Sequence, residues 1–181
     1  MKSVLIANRG EIAVRIIRAA KDLGLRTIAI YSELDRDSVH TEMADEAWNV
    51  GPAPAAESYL NIDRIIEIAV ESGADAVHPG YGFLAENAPF ARAVVEAGLI
   101  WVGPPASAID MMGDKIESRL AAEAAGVHGV PGTLEPLTDV SQVEEFAAEH
   151  GFPIAIKAAA GGGGRGMKVL HESDDLSAAF E

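Results

Sequence analysis

Cysteine is absent from the 181 residues, which excludes disulfides, thiolate zinc sites and a cysteine nucleophile. Basic residues are scarce: 14 Lys and Arg stand against 28 Asp and Glu, a formal charge of −14 at pH 7. A body this acidic repels nucleic acid and anionic lipid on average. Any phosphate site must therefore be a local concentration of Lys, Arg and backbone N–H groups. No apolar run approaches the roughly 18 residues of a membrane helix. The opening Met1-Lys2-Ser3-Val4-Leu5-Ile6-Ala7 is basic then apolar, but Asn8 and Arg9 end it. It falls short of the roughly 7–15 apolar residues of a signal-peptide core. These absences predict a soluble cytoplasmic protein with neither a nucleic-acid nor a membrane partner. Apolar material is ample, with 49% hydrophobic residues and a mean hydropathy of +0.13, so a packed core is expected rather than disorder.

The first hundred residues alternate between strand and helix patterns. Val4-Leu5-Ile6-Ala7 is a short continuous apolar run, as in a parallel strand buried on both faces. Residues 11–23 switch to helical spacing, with Ile12, Ile16, Ala19, Ala20 and Leu23 on one face and Gly24 as the C-terminal stop. Strands are predicted at Thr27–Tyr31, Ala74–His78 and Leu99–Val102, and helices at Arg64–Val70 and 88–97, ended by Gly73 and Gly98. Strands separated by helices of this length imply βαβ crossovers and a parallel sheet. The character changes near residue 105: an Ala-rich helix at Gly113–Ala125, a Gly/Pro-rich stretch, then a helix at Val140–His150. Pro153–Ala159 and Met167–Leu170 read as strands flanking a glycine loop, and Ser173 reads as the cap of a last helix, with Asp174 and Asp175 in its first turn. The fold class is thus α/β, a Rossmann-like parallel-sheet unit over residues 1–112 followed by a second unit over 113–181.

Gly161-Gly162-Gly163-Gly164-Arg165-Gly166 carries the strongest chemical signal. Five of its six residues are glycine, so its backbone can adopt positive φ and present several N–H groups to an anion at close range. Arg165 and Lys168 add positive charge in an acidic chain. A Gly/Ser linker would lie between domains, whereas this run lies between two strand patterns. A Walker loop needs Gly-Lys-Ser/Thr opening a helix, and a dinucleotide fingerprint also needs a helix. Here Met167 begins a strand, so the run reads as a lid joining two antiparallel strands over a nucleotide. Lys157 alternates with Ala155 and Ala159, while Ile154 and Ile156 point the other way, which suits a phosphate-binding point charge. Lys115 opens a helix after Asp114; taken alone, it reads as a solvated lysine beside a capping aspartate.

Other features are less directive. Asn8-Arg9-Gly10-Glu11 stands where a dinucleotide fold would carry three glycines, and Glu33 stands where such a fold would place its ribose acid. With Gly10 alone, that reading lapses. Glu11, Arg15, Arg18 and Asp22 form a charged stripe that is either a solvated face or a self-complementary two-fold interface. His78-Pro79-Gly80-Tyr81-Gly82-Phe83-Leu84-Ala85-Glu86-Asn87 follows a strand's C-terminal end, where ligands of open sheets bind. Tyr81, Glu86 and Asn87 face that ligand, or Tyr81 and Phe83 pack inward as part of a turn. His40, His78, His128, His150 and His171 lack metal-ligand spacing.

Four segments together resemble the biotin carboxylase family: Ile6 to Ala13, His78 to Asn87, Gly113-Asp114-Lys115, and Ile156-Lys157 through Met167. The similarity runs along the whole chain and looks closest to the α chains of acyl-CoA carboxylases, which serve fatty acid biosynthesis. The resemblance implies a pre-ATP-grasp domain followed by the beginning of an ATP-grasp domain with its glycine-loop hairpin lid. It implies an ATP-dependent ligase that activates bicarbonate and carboxylates carrier-bound biotin. Lys115, Lys157, Gly161, Gly162, Gly163, Gly164, Arg165, Gly166 and Met167 would then bind ATP, and Tyr81 and Gly82 would lie at the biotin pocket. Arg15 and Arg18 on helix 11–23 would form a homodimer interface. The implied partners are a biotin carboxyl carrier domain and a carboxyltransferase subunit. The family's Mg²⁺ ligands, bicarbonate-binding arginine and acid/base group have no counterpart here, so the chain is expected to be an amino-terminal piece, inactive alone. One departure is Ala158-Ala159-Ala160, where a small polar or aromatic residue often precedes the family's glycine loop. The alternatives are a pyruvate or urea carboxylase, another ATP-grasp ligase, and a non-catalytic dimerisation module.

Overall fold

The computed structural model describes residues 1–113, 115–127, 129–133, 135–157, 166–172 and 175–180. The chain divides into two compact units, Met1–Gly113 and Asp114–Glu181.

The first unit is built on a five-stranded parallel sheet of order β3-β2-β1-β4-β5. Its strands are β1 (Ser3–Ile6), β2 (Arg26–Ser32), β3 (Glu46–Gly51), β4 (Ala76–His78) and β5 (Ile100–Trp101). Its helices are α1 (Gly10–Asp22), α2 (Val39–Met43), α3 (Ile62–Glu71), α4 (Ala88–Glu96) and α5 (Ala106–Gly113). The pleat sends alternate residues of β1 to opposite faces. Leu5 and Ala7 join Ile28, Ile30 and Val77 beneath Ile65 and Ile68 of α3 and Phe90 and Val94 of α4. Val4 and Ile6 pack on the other face against Ala13, Ile16, Ile17 and Ala20 of α1. Both faces are therefore covered, which explains the continuous apolar run of β1.

Helices α1, α3 and α4 end alike. Gly24, Gly73 and Gly98 take φ of +62 to +78°, and the next amide reaches back five residues, as Leu25 N–H does to Ala20 O at 2.9 Å. Only glycine takes this left-handed turn without strain. The predicted stops were therefore right, but the predicted face of α1 needs correcting. Ala19 is exposed and Leu23 is 75% exposed, while Ala13 and Ile17 are buried. The buried stripe is Ala13, Ile16, Ile17 and Ala20, spaced i, i+3, i+4 and i+7, and Leu23 is the cap residue beyond the last turn. The sequence reading also missed β3, α2 and α5.

The second unit contains α6 (Lys115–Ala124), α7 (Val140–His150), α8 (Leu176–Phe180) and an antiparallel hairpin of β6 (Ile154–Lys157) and β7 (Met167–Leu170). Asp139 caps α7, accepting from Ser141 N–H at 2.7 Å, while Gln142 Oε1 accepts from Asp139 N–H at 3.1 Å. Val143 and Ala147 of α7 bury Ile154 and Leu170, with Leu176 and Phe180 of α8 packed alongside. Asp175 accepts from Ser177 and Ala178 N–H at the start of α8. The predicted cap Ser173, Asp174 and Asp114 lie outside the described residues.

Candidate functional site

In the second unit the hairpin has one covered and one open face. Ala155 pairs with Val169, and Lys157 with Met167. All four are exposed, Met167 at 49% and Val169 at 53%. An ammonium group beside three apolar side chains is an amphiphilic surface, chemically suited to a ligand with an apolar part and an anionic tail. Gly166 enters β7 at φ +71°. Lys168 points elsewhere and donates to Ala179 O at 2.8 Å, so its charge serves the end of α8. Lys115 is the first residue of α6. Gly161, Gly162, Gly163, Gly164 and Arg165 lie outside the described residues.

In the first unit the strand order reverses between β1 and β4, and the C-terminal ends of these strands form the crevice where open α/β sheets place ligands. Asn8 and Arg9 leave β1 there, and Pro79 to Phe83 leave β4. His78 Nδ1 accepts from Gly80 N–H at 3.0 Å, and burial pushes its pKa down. Tyr81 is 60% exposed and donates its hydroxyl to Glu11 Oε2 at 3.1 Å, and that carboxylate pushes its pKa up. Gly82 is exposed at φ +67°. Tyr81 and Phe83 therefore do not pack as a buried turn. Asn87 does not face a ligand: its side chain caps α4, accepting from Phe90 N–H at 2.8 Å. Arg15 and Arg18 are exposed on α1, as are Glu11 and Asp22.

Sequence reasoning missed a charged network at this same end of the sheet. Arg9 Nε donates to Asp35 at 2.6 Å, and its terminal nitrogen grips the other carboxylate oxygen. Tyr59 Oη donates to Asp35 at 2.6 Å and accepts from Ser32 N–H at 3.0 Å. The guanidinium holds the Asp35 carboxyl well below the usual carboxylate range, and burial raises the Tyr59 hydroxyl to about 12. Asp35, not Glu33, is the buried acid after β2. No local spacing links residues 9, 35 and 59, so only the folded sheet brings them together. His40 is also buried there, with Nε2 3.2 Å from Ile30 O and its pKa lowered by burial.

Among the described residues no group of three or more His, Asp or Glu side chains could hold a metal ion. Among them, too, no helix is long and apolar enough to cross a membrane. An open polar pocket of about 440 Å³ lies between β3 and α3, lined by residues that include Asn49, Asn61, Asp63 and Arg64, and it holds none of the predicted site residues.

Two family models match the chain. The biotin carboxylase N-terminal domain matches residues 1–109, and the ATP-binding domain of the carbamoyl-phosphate synthase L chain matches 114–181. The chain is 53% identical over 178 residues to a biotin-dependent acyl-coenzyme A carboxylase alpha3 subunit of Mycobacterium leprae, covering 98% of this chain and 30% of that one. It is 51% identical to the mitochondrial pyruvate carboxylase of Rattus norvegicus, covering 97% of this chain and 15% of that one. Among solved structures it matches the biotin carboxylase domain dimer of the Hydrogenobacter thermophilus 2-oxoglutarate carboxylase, in complex with MgADP, ADP and bicarbonate. The TM-score is 0.87 at 48% identity, over 99% of this chain and 39% of that one. The chain thus spans well under half the length of these relatives.

Proposed function

Because this chain belongs to the biotin carboxylase family, whose N-terminal domain model matches residues 1–109, we propose that it is the amino-terminal part of such an enzyme. The reaction is ATP-dependent carboxylation of carrier-bound biotin with bicarbonate. A bicarbonate oxygen attacks the γ-phosphorus of ATP, and ADP leaves. The resulting carboxyphosphate gives its carboxyl group to the ureido nitrogen of biotin, which loses its proton as phosphate departs. Phosphoryl transfer of this kind depends mostly on positioning and charge neutralisation.

The observation that carries this reading is the open hairpin face of Ala155, Lys157, Met167 and Val169, joined through a run of glycines. Lys157 and Lys115 serve as point charges for the phosphates, Gly161 to Gly166 with Arg165 wrap them, and Met167 offers an apolar contact. Mg²⁺, held by residues outside this chain, would neutralise the phosphate tail. Tyr81 and Gly82, exposed at the end of β4, belong to the biotin pocket. Arg15 and Arg18, exposed on α1, belong to a homodimer interface; the related 2-oxoglutarate carboxylase domain is itself a dimer. The partners are a biotin carboxyl carrier domain and a carboxyltransferase, in a cytoplasmic enzyme. The identity to an acyl-CoA carboxylase chain makes an acyl-CoA the first choice of final acceptor and fatty acid biosynthesis the pathway served, with pyruvate as the second.

The test uses the complete enzyme that carries this chain. ATP hydrolysis should require bicarbonate and rise with free biotin. Hydrolysis indifferent to both would overturn the reading.

A further inference from the structure

Asn8 leaves β1 at the point where the strand order reverses, the place where open α/β sheets bind their ligands. It is 3% exposed, and both of its amide hydrogens are donated. Its Nδ2 donates to Pro79 O at 2.8 Å and to Tyr81 O at 2.9 Å, while its Oδ1 accepts from Arg9 N–H at 2.9 Å. A position that donates twice and accepts once through so short a side chain suits asparagine alone. The contact is close: a Cβ on Gly80 would lie 2.9 Å from Asn8 Nδ2 and 3.0 Å from Ile12 Cγ1, and Gly80 sits at φ +67°. The far end of the same loop is also held. Phe83, at φ +42°, stacks on Tyr59 with ring centroids 5.1 Å apart and planes at 16°. Tyr59 is fixed in turn by Asp35 and Ser32. Between these two anchors the Tyr81 side chain projects, exposed.

We infer that Asn8 is a positioning residue for biotin: by clamping the carbonyls of Pro79 and Tyr81 it fixes the 79–83 loop and so the placement of Tyr81 and Gly82. This rests on the assignment of those two residues to the biotin pocket. Asn8 touches neither reacting group and acts through the loop. One side chain thereby ties the end of β1 to the end of β4 across the reversal of strand order.

Asn8→Asp is the sharpest variant, because it keeps the shape but sets a carboxylate against two carbonyl oxygens. In the complete enzyme, kcat/KM for free biotin is expected to fall about tenfold or more, while KM for ATP moves less than about twofold. Hydrogen exchange read by mass spectrometry should quicken in residues 79–87 and stay unchanged in α3. The neutral acid regains one donor, so the biotin defect relative to the parent should shrink as pH is lowered. Unchanged exchange in 79–87 overturns the positioning role. Faster exchange with unaltered biotin kinetics overturns the pocket assignment of Tyr81 instead. If Asn8→Asp misfolds, Gly80→Ala strains the same contact from the loop side and is read by the same two measurements.

Discussion

Arg9 grips Asp35 with two nitrogens across 26 residues of chain, joining the start of α1 to the turn after β2. The Asp35 side chain is 7% exposed and that of Arg9 48%, so the pair sits at the rim of the core. Tyr59, Ser32 and Ser38 hydroxyls also donate to the carboxylate. Asp35→Ala would strand the guanidinium and the Tyr59 hydroxyl without their acceptor. We expect a loss of about 3 kcal/mol in urea unfolding of the chain. A loss under about 1 kcal/mol would mean that water replaces the carboxylate without cost.

The same carboxylate sets an acid limb. Asp35 titrates well below its ordinary range because Arg9 stabilises the charged form, and Asp45 falls to about 2 because it accepts the Thr27 amide and hydroxyl. A depressed folded pKa contributes stability above the unfolded value, near 4, and that stability is lost as pH falls through the folded value. Unfolding free energy should therefore decline from about pH 4 downward. In Asp35→Asn the decline should be shallower, and an identical slope in both proteins would refute the assignment.

Much of this architecture was readable from the chain. Val4–Ala7, Thr27–Tyr31 and the stops at Gly24, Gly73 and Gly98 follow from apolar runs and left-handed caps, which are local signals. The hairpin was readable because Ile154 and Ile156 alternate with Ala155 and Lys157. β3 was not: among its six residues only Val50 is buried, as befits an edge strand, so neither alternation nor a continuous run announces it. α2 has five residues, too few for a helical period. The candidate site divides the same way. Tyr81 and Lys157 stand beside glycines in short segments that draw notice. Asn8, Asp35 and Tyr59 matter through contacts 24 to 73 residues away, which no spacing records.

Phe90 meets Trp101 edge-on, with centroids 5.5 Å apart and planes at 88°. Phe90 is wholly buried, and α4 presents it to the β4–β5 end of the sheet. Phe90→Ala removes this contact and leaves a cavity, for a cost of about 3–5 kcal/mol. Trp101 fluorescence should shift to the red in the folded variant. An unshifted spectrum in a protein destabilised by under about 1 kcal/mol would show that the core closes around the loss.

Lys157 is exposed on the open hairpin face, so its charge contributes little to folding and its proposed role is in binding. Lys157→Gln should leave thermal unfolding of the chain within about 2 °C of the parent. In the complete enzyme it should raise KM for ATP about tenfold or more, the loss of one phosphate-directed charge. A variant with an unchanged KM for ATP would remove this residue from the nucleotide site.

Glu11, Arg15, Arg18 and Asp22 lie exposed along α1, acids at the ends and arginines between. A two-fold axis that crosses the helix between Glu11 and Arg15, or between Arg18 and Asp22, sets an arginine of each copy against an acid of the other. Exposed pairs of this kind are individually weak, so the interface depends on their number and on the repulsion that a charge reversal introduces. Arg15→Glu combined with Arg18→Glu turns the stripe wholly acidic in a protein already at −14. Sedimentation of the complete enzyme at about 0.1 M salt should then show monomer where the parent sediments as dimer, with the melting temperature of the first unit unchanged. Higher salt should narrow the difference, because screening weakens attraction in the parent and repulsion in the variant alike. A parent and variant that sediment identically would place the interface on another face.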